Sequence, residues 1–156
     1  MLKINLICIG DIKEKYLRDA IAEYSKRISR FADLKIIEIK EHIAQSSSNA
    51  DICIALKKDA EDILKHIKGY SFCLDINSKM FSSEEFAKKI EKTSLTNSEI
   101  SFIIGASNGI AEQIKTACNE KISFSPMTFP HQLMRVIFLE QLYRAFTILN
   151  NIAYHK

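Results

Sequence analysis

Three short segments hold the residues that could take part in chemistry, and each follows an apolar run. They are residues 74–76 (LDI), 105–109 (GASNG) and 123–130 (SFSPMTFP). Ligands of open parallel sheets bind beyond the carboxyl ends of the strands, so three such ends can converge on one pocket. The sequence therefore predicts a small-molecule site at one edge of a sheet.

The glycine-containing segment at residues 105–109 matches neither common phosphate-binding fingerprint. It is not GxGxxG, and it is not GxxxxGK[ST]. One interpretation is a tight strand-to-helix turn, which glycine permits. The other is a loop whose backbone approaches a ligand closely, without cradling a phosphate.

The segment ISFSPMTFPHQ at residues 122–132 has an unusual composition for a simple connection. It contains both prolines of the chain, Pro126 and Pro130, together with two serines, a threonine, a histidine and two phenylalanines. Proline fixes the backbone angle φ and stiffens the loop. A stiff loop of this kind can hold a flat ring by backbone hydrogen bonds and side-chain packing.

The chain ends in NIAYHK, which offers an aromatic ring, an imidazole and an ammonium group in succession. The plain interpretation is a disordered terminus. The functional interpretation is an arm that reaches into an active site.

Apolar runs alternate with amphipathic stretches along the chain, and these elements must position the segments above. Strands are predicted at residues 3–9, 34–39, 70–76, 100–104 and 122–124. Helices are predicted at residues 13–30, at 52–67 with Gly69 as the stop, after the capping box of Ser82 and Glu85, from about residue 109, and at 130–150. This alternation predicts an α/β fold with a mostly parallel sheet, helices on both faces and a single domain over residues 1–156.

The last predicted helix is apolar around nearly its whole circumference. Such a helix must be buried, and a partner subunit is the cover we expect in a domain of this size. The sequence therefore predicts a homodimer. Glu140 and Arg144 interrupt the apolar pattern at a spacing that fits an ordinary ion pair within the helix.

Composition limits the functional classes. The net charge of +3 permits contact with RNA without requiring it. No signal peptide or membrane-spanning run is recognisable, so we expect a cytoplasmic protein without a membrane partner. The four cysteines show neither CxxC pairs nor zinc-site spacing, which predicts no metal site. Cys8, Cys53 and Cys73 stand among Ile and Leu, and we expect them to be reduced thiols in the core.

The C-terminal third resembles the ribosomal large subunit methyltransferase H family, the pseudouridine-N3 methyltransferases of 23S rRNA within the SPOUT class. The matching residues are FIIGASNG at 102–109, SFSPMTFPHQLMRVIFLEQLYRAFTI at 123–148 and YHK at 154–156. Length and the leading strand also fit, so the resemblance covers essentially the full chain. One departure is Ala106, where the family commonly has a second glycine.

The resemblance implies a C-terminal trefoil knot and S-adenosyl-L-methionine as cofactor. It assigns cofactor binding to residues on the three strand ends already singled out, namely Leu74, Gly105, Phe124, Ser125, Pro126, Met127, Thr128 and Phe129. The reaction would be methyl transfer to a pyrimidine ring nitrogen, in which the protein supplies orientation and proton management.

Candidate roles in this reaction fall on the terminal residues and the last helix. His155 is the candidate base, because an imidazole exchanges protons near neutral pH, and Tyr154 could stack on the target base. Arg135, Arg144 or Lys156 could stabilise the deprotonated ring or hold phosphate, and Arg135 is the catalytic candidate among them. RNA binding is expected from Arg144, Lys156 and His131. His131 could also serve as the base, or it could merely fix the loop at the start of the helix.

The resemblance implies 23S rRNA as the substrate, and the short, mildly basic chain favours recognition of the assembled ribosome over free RNA. Two alternatives remain open at this point. One is another SPOUT enzyme, acting on a tRNA base or a ribose. The other is a homologue that binds the ribosome without catalysis.

Overall fold

Strands and helices alternate throughout the computed structural model, which describes residues 1–156. The strands are β1 (Leu2–Ile9), β2 (Ala32–Ile39), β3 (Tyr70–Leu74), β4 (Glu99–Ile104) and β5 (Glu120–Ile122). The helices are α1 (Lys15–Ile28), α2 (Asn49–Leu64), α3 (Ser83–Ser94), α4 (Glu112–Ala117) and α5 (His131–Leu149).

The five strands form one sheet in the order β2-β1-β4-β3-β5, and every neighbouring pair is parallel. Parallel neighbours need crossover connections, which the helices provide. One core layer lies between the sheet and helices α1, α3 and α5, and a second lies between the opposite face and helices α2 and α4. The predicted α/β class, parallel sheet and helices on both faces are confirmed.

Alternation of side chains along the strands builds these two layers. In β1, Ile4, Leu6 and Cys8 face the larger core layer, whereas Ile7 and Ile9 face the smaller one. A strand covered on both faces is apolar at successive positions, which explains the continuous apolar run in the sequence.

Several boundaries differ from those predicted. β5 ends at Ile122, where the sequence pattern predicts its start, because Ser123 makes only an isolated bridge to Met80. Gly69 does not end α2, which stops at Leu64. Gly69 has φ of 64°, and a side chain there would collide with the backbone of Glu99. The capping box at the start of α3 is confirmed, since Ser82 and Glu85 exchange both hydrogen bonds.

The prediction that Cys53 lies in the core is wrong, because its side chain is exposed. Helix α2 turns Ala55, Asp59 and Ala60 inward, which leaves Cys53 on the solvent side. Cys8 and Cys73 are buried as predicted. Burial raises the pKa of the Cys8 thiol to about 12, so this thiol is inert at neutral pH.

Helix α5 lies between α1 and α3, and one side of it is fully buried against the sheet. Phe138 is the centre of an aromatic cluster that includes Phe86, Phe102 and Phe124. Other apolar residues of the helix keep access to solvent, and Leu133 is 40% exposed.

None of the helices combines the length and apolar character needed to cross a membrane.

Candidate functional site

A cavity of about 370 Å³ opens beyond the carboxyl ends of β3, β4 and β5, at the start of α5. The three segments singled out in the sequence converge here, as their positions after parallel strands predict. Of the residues assigned to cofactor binding, all except Pro126 line the cavity: Leu74, Gly105, Phe124, Ser125, Met127, Thr128 and Phe129.

The loop after β4 forms one wall of the cavity by closing tightly on itself. The Gly109 amide donates a hydrogen bond of 2.9 Å to the Ala106 carbonyl, and Gly109 has φ of 80°. A Cβ atom on Gly105 would lie 2.6 Å from both the Gly109 oxygen and Ile110 Cγ1. The tight-turn interpretation of the glycine segment is confirmed, and this turn forms part of the cavity wall. Ala106 has no positive φ, so the departure from the family pattern is accommodated without strain.

Hydrogen bonds and aromatic packing hold the loop after β5 in place. The buried Ser123 hydroxyl lies within hydrogen-bonding distance of the carbonyls of Ile76, at 3.3 Å, and Ser125, at 3.1 Å. The Met127 amide donates to the Ser125 hydroxyl at 3.0 Å. The ring of Phe124 stacks on Phe138 of α5. The loop is thus held by the segment after β3, by its own hydrogen bonds and by α5, and these contacts preform the cavity wall.

One ion pair that the sequence interpretation missed lies in the cavity wall. Lys115 of α4 approaches Asp75, the residue after β3, with an Nζ–Oδ2 distance of 3.6 Å. Their side chains are only 21% and 10% exposed. Asp75 stands in a segment that the sequence singled out, but nothing local in the sequence indicates that Lys115 faces it from another element.

His131 is the first residue of α5 and lines the cavity together with Met134, one turn later. No side-chain hydrogen bond is made by His131 within the chain, so its ring nitrogens are available to a ligand. The structure thus brings His131 to the site, as the sequence interpretation requires of an RNA-binding or proton-accepting group.

Arg135 does not line the cavity. It is 2% exposed and donates hydrogen bonds to Glu38 at 2.7 Å and to the Gly10 carbonyl at 3.0 Å. The Nε atom is buried without a partner. Arg135 therefore joins α5 to the ends of β1 and β2, and both terminal nitrogens of its guanidinium donate within the chain.

The last residues are folded onto α5 and do not lie at the cavity of their own chain. Tyr154 donates to Glu140 at 3.0 Å, and its ring centroid lies 4.8 Å from both the Tyr143 ring centroid and Arg144 Cζ. His155 Nδ1 lies 3.2 Å from Arg144. We name Glu140, Arg144, Tyr154 and His155 the tail cluster.

The tail cluster also reaches α3. His155 Nε2 lies 2.7 Å from Glu84 Oε1, and this hydrogen bond holds the pKa of Glu84 below its usual value. Lys156 is exposed. Glu140 and Arg144 form the ion pair that their spacing predicts.

A defined turn connects α5 to these residues. Asn151 adopts φ of 53°, the Asn151 amide donates to Ile148, and the Ile152 amide donates to Thr147. This is the Schellman arrangement, which ends a helix and reverses the chain. Arg144 stands 13 residues after His131, so the tail cluster lies about 20 Å along the helix from the cavity end at ~1.5 Å per residue.

Comparison with known proteins gives a consistent picture. Residues 2–155 match the family model described as a predicted SPOUT methyltransferase. The chain is 49% identical over 155 residues to the ribosomal RNA large subunit methyltransferase H of Caldicellulosiruptor saccharolyticus, covering 98% of this chain and 99% of that protein. It is 52% identical over 159 residues to a protein of Methanococcus maripaludis named putative ribosomal RNA large subunit methyltransferase H. The match covers 99% of this chain and 100% of that protein.

A solved structure is similar in fold. It is that of a probable methylase family protein from Haemophilus influenzae, with a TM-score of 0.55. The match covers 98% of this chain and 70% of that one at 14% identity, so the likeness concerns the fold alone.

Proposed function

The chain belongs to the SPOUT methyltransferase family, and from this premise we propose that it methylates N3 of a pseudouridine in 23S rRNA, with S-adenosyl-L-methionine as methyl donor. The methyltransferase H name of the relatives supports the large-subunit substrate. The specific nucleotide and atom rest on the family resemblance. The observation that carries the proposal is the convergence of the three strand-end segments on one cavity.

The cavity suits S-adenosylmethionine in size and chemistry. Its volume falls within the range of small-molecule sites. Apolar side chains such as Leu74, Ile104 and Ile110 can pack on a flat ring, and Asp75 and Lys115 offer opposite charges to a zwitterionic amino acid. When bound, the cofactor supplies an electrophilic methyl group on sulfur.

The residues proposed to bind the cofactor are those that the resemblance assigns. Leu74, Gly105 and residues 124–129 surround the cavity, with Pro126 as the exception, which is exposed and stiffens the loop from outside. The trefoil knot implied by the resemblance remains part of the proposal. It is supported by a strand order in which β5 lies outside β3 while α5 returns to pack between α1 and α3.

Catalysis is proposed to use the terminal residues in trans, within a homodimer. The tail cluster is folded about 20 Å along α5 from its own cavity, which argues against service in the same chain. The partly exposed apolar residues of α5, among them Leu133, support a subunit contact along this helix. A tail leaving that contact could then reach the cavity of the partner.

In this arrangement the tail is released from Glu140, Arg144 and Glu84. A freed nitrogen of His155 then accepts the proton from the target ring nitrogen, and Tyr154 stacks on the base. Arg144, Lys156 and His131 are proposed to contact RNA, the last from the cavity wall. Arg135 is proposed to act by positioning, because its guanidinium is buried and holds the start of α5, which carries His131, against β1 and β2.

The first experiment measures methyl transfer from labelled S-adenosylmethionine to purified ribosomes that lack the modification and, separately, to total tRNA, followed by mass mapping of the labelled RNA. Label in a single pseudouridine of 23S rRNA is expected. Label only in tRNA or in a ribose would replace the proposal with another SPOUT activity. Cofactor binding without transfer to any RNA would favour a non-catalytic ribosome-binding protein.

The second experiment tests the tail. Deleting Tyr154, His155 and Lys156 should abolish transfer while calorimetric affinity for S-adenosylmethionine stays within a few-fold of the intact protein. Mixed dimers then decide the geometry. A tail-deleted subunit paired with a Gly105→Val subunit should retain about half of the activity if the site is shared, and none if each chain uses its own tail. A monomer in light scattering at micromolar concentration would contradict the shared site.

A further inference from the structure

Two lysines hold their ammonium groups over a single aromatic ring near the cavity. Lys79 Nζ lies 5.4 Å from the centroid of Phe81, and Lys89 Nζ lies 5.6 Å from the same centroid. Lys92, one turn after Lys89 on α3, adds to the positive potential. We call Lys79, Phe81, Lys89 and Lys92 the lysine patch. Each ammonium group is attracted by the negative face of the aromatic ring, but the two like charges also repel each other.

Only one carboxylate partly neutralises the lysine patch. Glu120 accepts a hydrogen bond from Lys89 at 2.8 Å and another from the Tyr70 hydroxyl at 2.6 Å. Burial alone would raise the pKa of Glu120, but the hydrogen bonds from Lys89 and Tyr70 hold it below its usual value. Both carboxylate oxygens are therefore in use. Lys79 forms no ion pair, so the patch keeps an excess of positive charge.

The lysine patch adjoins the rim of the cavity. The Lys79 carbonyl accepts a hydrogen bond of 3.0 Å from the amide of Ser123, and Met80 pairs with Ser123 in an isolated bridge. Ser123 lines the cavity. Residues 79–81 therefore connect the cavity rim directly to the start of α3. The lysine patch is therefore within reach of a polymer whose target base enters the cavity from this side of the rim.

We propose that the lysine patch binds the phosphate backbone of rRNA beside the target nucleotide. This proposal rests on the proposed function, since it assumes an RNA substrate at the cavity. Phosphate is the counter-charge that the unpaired Lys79 and the incompletely neutralised pair of Lys89 and Lys92 lack. The ring of Phe81 orders two flexible side chains beforehand, so less side-chain entropy is lost on binding.

The test measures binding to purified large ribosomal subunits over a range of salt concentrations. Lys79→Gln should lower the magnitude of the slope of log K against log salt by about 0.7–0.9, the value for one phosphate contact. Over the tenfold range between 1 M and 0.1 M salt, this corresponds to about a five- to eight-fold loss of affinity at the lower concentration. Lys79→Arg keeps the charge and should restore most of the affinity.

Matched controls distinguish a phosphate contact at the lysine patch from an effect of the net charge of the protein. Lys57→Gln removes an exposed lysine from α2, on the opposite face of the sheet, and should leave the slope unchanged. Calorimetric affinity of Lys79→Gln for S-adenosylmethionine should equal that of the unaltered protein, because Lys79 does not line the cavity. These two results together with a reduced slope support the proposal.

The outcomes also separate this proposal from the proposed function. If the unaltered protein methylates the ribosome and Lys79→Gln binds with the same slope, the lysine patch is not an RNA contact and the methyltransferase proposal stands. If Lys57→Gln lowers the slope as much as Lys79→Gln, the effect is one of net charge and the patch is likewise overturned. If the unaltered protein neither binds nor methylates ribosomal RNA, both proposals fail.

Discussion

Replacement of Gly105 by alanine tests whether the loop after β4 is the wall on which cofactor binding depends. The added Cβ would lie 2.6 Å from the Gly109 oxygen and from Ile110 Cγ1, whereas ordinary contacts begin at 3.4 Å. The loop must therefore shift by about 0.8 Å, the difference between these two distances, or the β4 end must move instead. The backbone angle at Gly105 does not favour glycine, so the effect is purely steric.

The magnitude follows from two separate costs. Overpacking of this kind lowers the free energy of unfolding by about 1–3 kcal/mol. A displaced wall would also lose hydrogen bonds to a bound ligand, and each unmade bond costs about 1–3 kcal/mol. We therefore expect Gly105→Ala to fold and to bind S-adenosylmethionine at least ~10-fold more weakly, since ~1.4 kcal/mol is a factor of ten.

The assay pairs isothermal titration of the cofactor with urea unfolding of the same protein samples. Ser82→Ala is the matched control, because it removes the hydrogen bond that caps α3 and costs about 1 kcal/mol away from the cavity. That variant should lose comparable stability and keep its cofactor affinity. Undiminished affinity in a folded Gly105→Ala protein would refute the assignment of this loop to the cofactor site. An equal loss of affinity in Ser82→Ala would show that general destabilisation is responsible.

Two further predictions concern groups away from the cavity. The hydrogen bond to Glu120, and secondarily burial, raise the pKa of the Tyr70 hydroxyl to about 12. The contribution of this protonated hydroxyl to the free energy of unfolding is therefore complete below about pH 10 and is lost as the pH rises towards 12. The free energy of unfolding of Tyr70→Phe should therefore fall less steeply over this interval, and an equal fall would contradict the assignment. Glu38→Gln leaves the buried Arg135 guanidinium without its carboxylate and should lower the free energy of unfolding by about 1–3 kcal/mol in urea titrations. Arg135→Met should cost less than that if the desolvated charge, and not lost packing, is the cause.

The sequence by itself determined the order of the elements and the segments that line the cavity. Apolar runs followed by amphipathic stretches indicate buried parallel strands with crossover helices, because the side-chain periods of strands and helices differ. The carboxyl ends of neighbouring parallel strands lie at one edge, so residues 74–76, 105–109 and 123–130 could be assigned to a common pocket without knowing the strand order. The capping box of Ser82 and Glu85 could also be predicted from the sequence, since both partners lie within one turn.

Tertiary structure alone decided which distant groups meet. The ion pair of Lys115 with Asp75 depends on how α4 crosses the sheet, and the burial of Arg135 depends on how α5 meets Glu38. The apolar sequence neighbours of Cys53 predict a core position, but the packing of α2 leaves its side chain exposed. Such contacts join residues far apart in sequence, and no local periodicity encodes them.

The final helix shows the limit most clearly. A helix apolar on all sides has no amphipathic phase, so its sequence demands burial without stating which side meets its own sheet. The fold buried Phe138 and Leu142 in the core and left Leu133 partly exposed. The Schellman turn at Asn151 reverses the chain, so that the terminal residues pack along α5. Hydrogen bonds with Glu140, Arg144 and Glu84 hold them there. Their position depends on hydrogen bonds between elements that are distant in sequence, which no local pattern encodes.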